Sequence, residues 1–171
     1  MIPVRIVQLN AGALKYLWAK FDANRANFPD ALAKDQIEFV CWLAAPDVQI
    51  FSVGESDTDP LGVFIFADIE PGNSAFAHIF MFEHGTYDYK ELIASAQFVL
   101  LSVMRAHDLH SVRGLTPAPL KRAVKFAESV GFKIDGHSRD SMQFHGEWVN
   151  GILTSILRNE AEEFELKKEA V

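Results

Sequence analysis

A chain of 171 residues has the length of one domain with a single packed core, and its Lys+Arg 16 against Asp+Glu 23 leave a net charge of −7. That balance excludes a general nucleic-acid binder, whose affinity rests on neutralising phosphates, and 49% hydrophobic with 23% charged residues excludes a disordered chain. One cysteine, Cys41, excludes an internal disulfide and a Cys-based zinc site, and no run reaches the ~20 apolar residues of a membrane span.

The first residues, Met1-Ile2-Pro3-Val4-Arg5, contain no long apolar leader, so the expectation is a cytoplasmic protein with neither membrane nor nucleic-acid partners. Val4 to Leu9 alternates apolar and polar residues, which predicts a strand. Asn10 is placed to cap a helix carrying Leu14, Leu17, Trp18 and Phe21, broken by Asn27-Phe28-Pro29-Asp30. Asp35 and Glu38 form a capping-box pair before a second helix with Ile37, Val40, Cys41 and Ala44 on an apolar stripe; Cys41 reads as core, and Trp18, Trp42 and Trp148 as core or interface anchors. Val48–Val53, Gly62–Ile69 and Ala75–Phe82 are rich in Val, Ile and Phe. Turns at Ser56–Pro60 and Glu70–Ser74 separate them, which predicts an antiparallel meander.

Asp88 with Glu91 opens a long helix to about His107, apolar nearly all round and therefore covered on most sides. A short strand over Ser111–Leu115 follows, then a helix from Leu120 to Val130 stopped by Gly131. Two more strands, Phe132–Phe144 and Trp148–Leu157, meet at a His145-Gly146 turn. The expected organisation is an α/β domain over residues 1–158, with a mixed, mostly antiparallel twisted sheet flanked by helices on both faces, and an acidic tail over 159–171 read as a frayed or solvated helix.

The C-terminal stretch Ala123, Glu128, Gly131-Phe132, Gly136, Arg139, Gly146, Ile156-Leu157 and Glu160, taken with the element order, resembles the GCN5-related N-acetyltransferase superfamily, and within it the branch that acetylates ribosomal-protein N-termini. The resemblance implies that the strand at Ala75–Phe82 splays from Ser111–Leu115. It implies further that pantetheine of acetyl-CoA enters the gap as an added strand would, and that the next helix aims its N-terminus at the diphosphate. The family's phosphate loop, Gln/Arg-x-x-Gly-x-Gly/Ala, falls here on Phe82-Glu83-His84-Gly85-Thr86-Tyr87. Only Gly85 matches, so the loop reads as degenerate. Glu83, Asp88 and Glu91 add negative charge beside it, and Asp88, as an N-cap, competes for an amide. Leu120 and Ala127 stand where family members carry Asn and a general-acid Tyr.

By that resemblance Met81, Phe82, His84, Gly85, Thr86, Tyr87 and Asp88 are the cofactor-contacting positions, with Glu83 and His84 as candidate catalytic groups. Glu83 reads as a base or as an exposed loop acid. His78 and His84 read as proton relays or as packed or surface histidines, and Tyr87 as a replacement acid, an adenine platform or a loop anchor. His107 and His110 lack the further ligands of a metal site. Arg113, Lys121, Arg122 and Lys125 either grip the adenosine 3′-phosphate or solvate a helix. The functional expectation is an acetyl-CoA-dependent transfer to a primary amine, either a peptide N-terminus or a small amine. The alternative is an interaction or assembly module that has lost the cofactor, with a protein partner or a second copy of itself, in a host cytoplasm or a virion if phage-encoded.

Overall fold

The computed structural model describes the chain except residues 31, 56–58, 83–86 and 170–171, and the side chains of 165–169. Among the described residues seven strands form one sheet in the order β1-β2-β3-β4-β5-β7-β6, with β1 at Val4–Ile6, β2 at Gln49–Val53, β3 at Gly62–Glu70, β4 at Ser74–Met81, β5 at Ser111–Pro117, β6 at Lys133–Phe144 and β7 at Glu147–Leu157. Every neighbouring pair is antiparallel except β4–β5. The helices are α1 (Ala11–Ala23), α2 (Gln36–Leu43), α3 (Tyr89–Ala106), α4 (Lys121–Val130) and α5 (Arg158–Glu169).

Strand alternation sorts two hydrophobic layers. In β3, Val63 and Ile65 face α1 and α2, where they join Leu17, Phe21, Phe39, Leu43, Ile50 and Phe80. Phe64 and Phe66 point the other way, to Val99, Val103, Val112, Ile156 and the remainder of the main core beneath α3. A strand covered on both faces carries no polar alternation, which is why Gly62–Ile69 reads as one apolar run. Phe21 stacks between Phe28 (5.0 Å) and Phe39 (4.8 Å), and burial of such a ring is worth about 1.5–3 kcal/mol.

The local signals set the helix ends. Asn10 accepts from Ala13 N (3.0 Å), Asp35 from Ile37 N and Glu38 N, and Asp88 from Lys90 N (2.7 Å) and Glu91 N (3.2 Å). Gly131 closes α4 with φ +117°. The first strand is shorter than its alternation predicts, ending at Ile6: Val7 N still bonds Ile50 O (2.9 Å), but the chain then turns away to reach the Asn10 cap. Cys41 is exposed rather than core, because α2 buries Phe39 and Leu43, four residues apart, and Cys41 lies between them on the opposite side. Trp148, 62% exposed, lies in the part of β7 that extends past the end of β5. Helix α5 follows β7 without a break. Its Ala161 lies fully buried in the main core, Arg158 Nη1 bonds Asp108 (2.7 Å), and Lys133 pairs with Glu160. The turn expected at 56–60 lies partly outside the described residues.

Candidate active site

β4 and β5 pair over three positions only, Ser74↔Ser111, Ala75↔Val112 and Phe76↔Arg113. Past that point β4 stays in register with β3 as far as Met81↔Gly62, and β5 with β7 as far as Pro117↔Gly151, but not with each other. Two central strands therefore diverge in the middle of a continuous sheet and leave a wedge edged by backbone groups with no ladder partner. Arg113 ties the closed end: its Nη2 donates to Ser74 Oγ (2.5 Å) and its guanidinium lies 5.2 Å above the Phe76 ring. Ile79 shows that the wedge is open. It sits on a central strand and on the α3 side, yet remains 36% exposed. A filled gap would have buried it.

On the α3 side the wedge meets the first turn of that helix. Met81 packs against the main core, and Phe82 is buried in the α1–α2 layer with its N–H donating to Leu61 O (2.8 Å). Tyr87 is partly buried against the main core, and burial raises its hydroxyl above the ordinary tyrosine range. Asp88 engages two of the N–H groups that a helix start otherwise offers to an anion. Tyr89 meets Phe126 of α4 edge-on at 5.9 Å, closing the helices toward each other above the wedge. Glu83, His84, Gly85 and Thr86 lie outside the described residues.

The basic cluster is divided by the sheet. Val112 enters the core under α3, so alternation places Arg113 on the opposite face, away from Lys121 and Lys125, which line a shallow groove with Val124, Ile134 and Ile152. His107 bonds Gln49 Oε1 (3.1 Å) at the C-terminal end of α3, and the described residues contain no cluster of three or more metal-ligating side chains.

On the α1–α2 side, His78 meets the Trp42 ring edge-on at 5.2 Å and lies 6.4 Å from the Phe80 ring. Burial pushes its pKa down to about 4, opposed only by the charge of Asp68, so the imidazole is neutral at physiological pH. Beyond Phe80, Asp30 clasps the β6–β7 turn. Its carboxylate accepts from His145 N (3.1 Å) and Gly146 N (2.7 Å), and its own N–H donates to Gln143 O (2.9 Å). Sequence reasoning gave Asp30 only as a helix breaker. The partners lie 115 and 116 residues away, and no local pattern announces them.

No family model matches the chain, and no curated protein matches its sequence. Solved structures do match its shape. Spermidine N-acetyltransferase from Vibrio cholerae in complex with CoA and spermine superposes with a TM-score of 0.73 at 17% identity, covering 93% of this chain and 98% of that one. A point mutant of the same enzyme gives 0.75 at 16% identity over 94% and 96%. At that identity the likeness shows the fold, and the fold is that of the GCN5-related acetyltransferases.

Proposed function

We propose that this protein transfers the acetyl group of acetyl-CoA to a primary amine, either a small amine or a peptide N-terminus. The observation that carries the reading is the mid-sheet divergence of β4 and β5 with Ile79 left exposed between them. Backbone groups along a strand edge hydrogen-bond an incoming chain of amides, as in strand addition, and pantetheine is such a chain. The fit is weaker at the diphosphate, because Lys90 N and Glu91 N, which a helix start otherwise offers to an anion, are engaged by Asp88. The spermidine acetyltransferase in complex with CoA and spermine supports both the cofactor and an amine acceptor for this fold. The resemblance of the C-terminal pattern to the ribosomal-protein branch is the ground for including a peptide N-terminus among the acceptors.

Acetyl-CoA in the wedge supplies the acyl group as a thioester. In the reading proposed here Glu83, two residues past the end of β4 in the sequence, takes the proton of the incoming ammonium through water, with His84, next in sequence, as the second candidate catalytic group. The freed amine forms the C–N bond as the C–S bond breaks, and the proton that the nitrogen sheds on becoming an amide passes to the departing thiolate. Nothing in that sequence needs a covalent enzyme intermediate; the walls of the wedge contribute mainly by holding the two reactants in line. The Asp88 cap also favours a second reading, a scaffold that has lost the cofactor and binds a protein partner or its own copy. Thiol release separates the two. Incubated with acetyl-CoA, the transferase releases thiol in proportion to added amine and yields an acetylated product; no amine-dependent release across small amines and peptides refutes the reading.

A further inference from the structure

The β6–β7 hairpin outruns the rest of the sheet. Its pairing with β5 ends at Pro117↔Gly151, and among the described residues the stretch from Met142 to Val149 pairs only within the hairpin. A bulge between Ser138 and Met142 bends it, with Asp140 at φ +44° and the Asp140 N–H held by Asn150 Oδ1 (3.1 Å). The tip then meets the connection between α1 and α2. The two carboxylate oxygens of Asp30 accept from His145 N and Gly146 N, Asp30 N donates to Gln143 O, and His145 Nε2 donates to Ala26 O (2.7 Å).

The two arms of this clasp are held unequally. On the Asp30 arm, Phe28 is buried between Phe21 (5.0 Å) and Phe80 of β4 (4.5 Å), which fixes that arm to the α1–α2 layer. The hairpin arm rests on the clasp and on Phe144, which strand alternation places on the α1–α2 face. An overhanging strand leaves such a ring in solvent, yet Phe144 is only 9% exposed, so the tip is packed down. The side-chain bonds of the clasp are themselves solvent-exposed, the class that opens at least cost. The clasp joins β4 to β7 across β5, at the end where β4 and β5 have diverged.

We infer that the clasp is a gate on the acceptor's side of the wedge: the hairpin tip, hinged at the Ser138–Met142 bulge, lifts off Asp30 to admit the amine. The inference rests on the transferase reading and adds to it the control of access. With the diphosphate at the start of α3, and with Tyr89 and Phe126 joining α3 to α4 above the wedge, the amine comes from the α1–α2 side. Along that face of β4 the rings of Trp42, His78, Phe80 and Phe28 pack on one another. The way in therefore lies between those rings and the hairpin, where the clasp stands shut. A protein that binds its ligand only when open shows an affinity reduced by the open fraction, so loosening the clasp tightens amine binding.

The test uses 2-phenylethylamine and an alanine-initiated peptide as acceptors. Asp30→Ala lowers the acceptor KM at least threefold, while calorimetry finds acetyl-CoA affinity unchanged within twofold. In a Cys41→Ser background, a disulfide joining Asp30→Cys to Gly146→Cys holds the gate shut. Amine-dependent thiol release then falls at least tenfold, the acetyl-CoA thermal shift persists, and reduction restores the release. A KM unchanged or raised in Asp30→Ala overturns the inference whether or not the cross-link forms, as does a cross-linked protein as active as its reduced form. A parent that neither binds acetyl-CoA nor releases thiol brings down the transferase reading itself, and this inference with it.

Discussion

His78 ties the stability of the fold to pH. The imidazole titrates near 6.5 in an unfolded chain and at about 4 in the folded protein, where burial disfavours its charge. Below pH 6.5 the unfolded state therefore binds the extra proton, so stability is fully present above 6.5 and is lost as pH falls toward 4. Over the whole interval the shift is worth about 3 kcal/mol, and at pH 5 about 2 kcal/mol is already gone. A loss of that size lowers Tm by about 4–8 °C in a chain of this length. Urea unfolding of the parent and of His78→Leu at pH 7 and pH 5 isolates the effect, because the remaining titrating groups are common to both. The acid-induced loss is about 2 kcal/mol smaller in the variant. Parallel pH dependences for the two proteins, or a His78 NMR midpoint near 6.5, would refute the claim that this ring is held neutral by its surroundings.

Three further outcomes follow from particular contacts. Asp88→Ala removes the α3 cap and costs about 1 kcal/mol by urea unfolding; it also frees two amides, so calorimetry records tighter acetyl-CoA binding, and weaker binding would show that the cap does not compete. Asp30→Ala leaves two turn amides without their acceptor and costs about 1–2 kcal/mol by urea unfolding; an unchanged unfolding midpoint contradicts the clasp. Gly131→Ala is destabilising by about 2 kcal/mol or more, since φ +117° strains any side chain and the new Cβ meets the Phe164 ring; a Tm within 2 °C of the parent contradicts the close docking of α5.

The legible parts of this chain are those whose cause is local. Asp35 and Asp88 act on amides two and three residues ahead, Gly131 ends its own helix, and His145-Gly146 adopts the positive φ values of 54° and 77° that a two-residue turn requires. The meander is equally readable, because each strand pairs with its neighbour in sequence. What stayed hidden depends on which side of a helix or strand meets the rest of the molecule. Ile37, Val40 and Cys41 look like a stripe, but Phe39 and Leu43 make the contact, and Ile37 stands 74% exposed. His78 is an ordinary strand residue until Trp42 arrives from α2, and the Asp30 clasp joins segments more than a hundred residues apart. The family pattern implied the splay of β4 and β5. Only the register shows where it begins, at Phe76 and Arg113.

Binding in the wedge is measured most directly by thermal unfolding with acetyl-CoA. At a hundred times its dissociation constant a ligand that binds only the folded state contributes about 2.7 kcal/mol, or about 5–10 °C for a domain of this size. The account predicts a rise of that order at saturating acetyl-CoA, abolished when Ile79→Trp fills the space between the strands. An unshifted Tm at millimolar acetyl-CoA, or a shift that Ile79→Trp leaves intact, contradicts it.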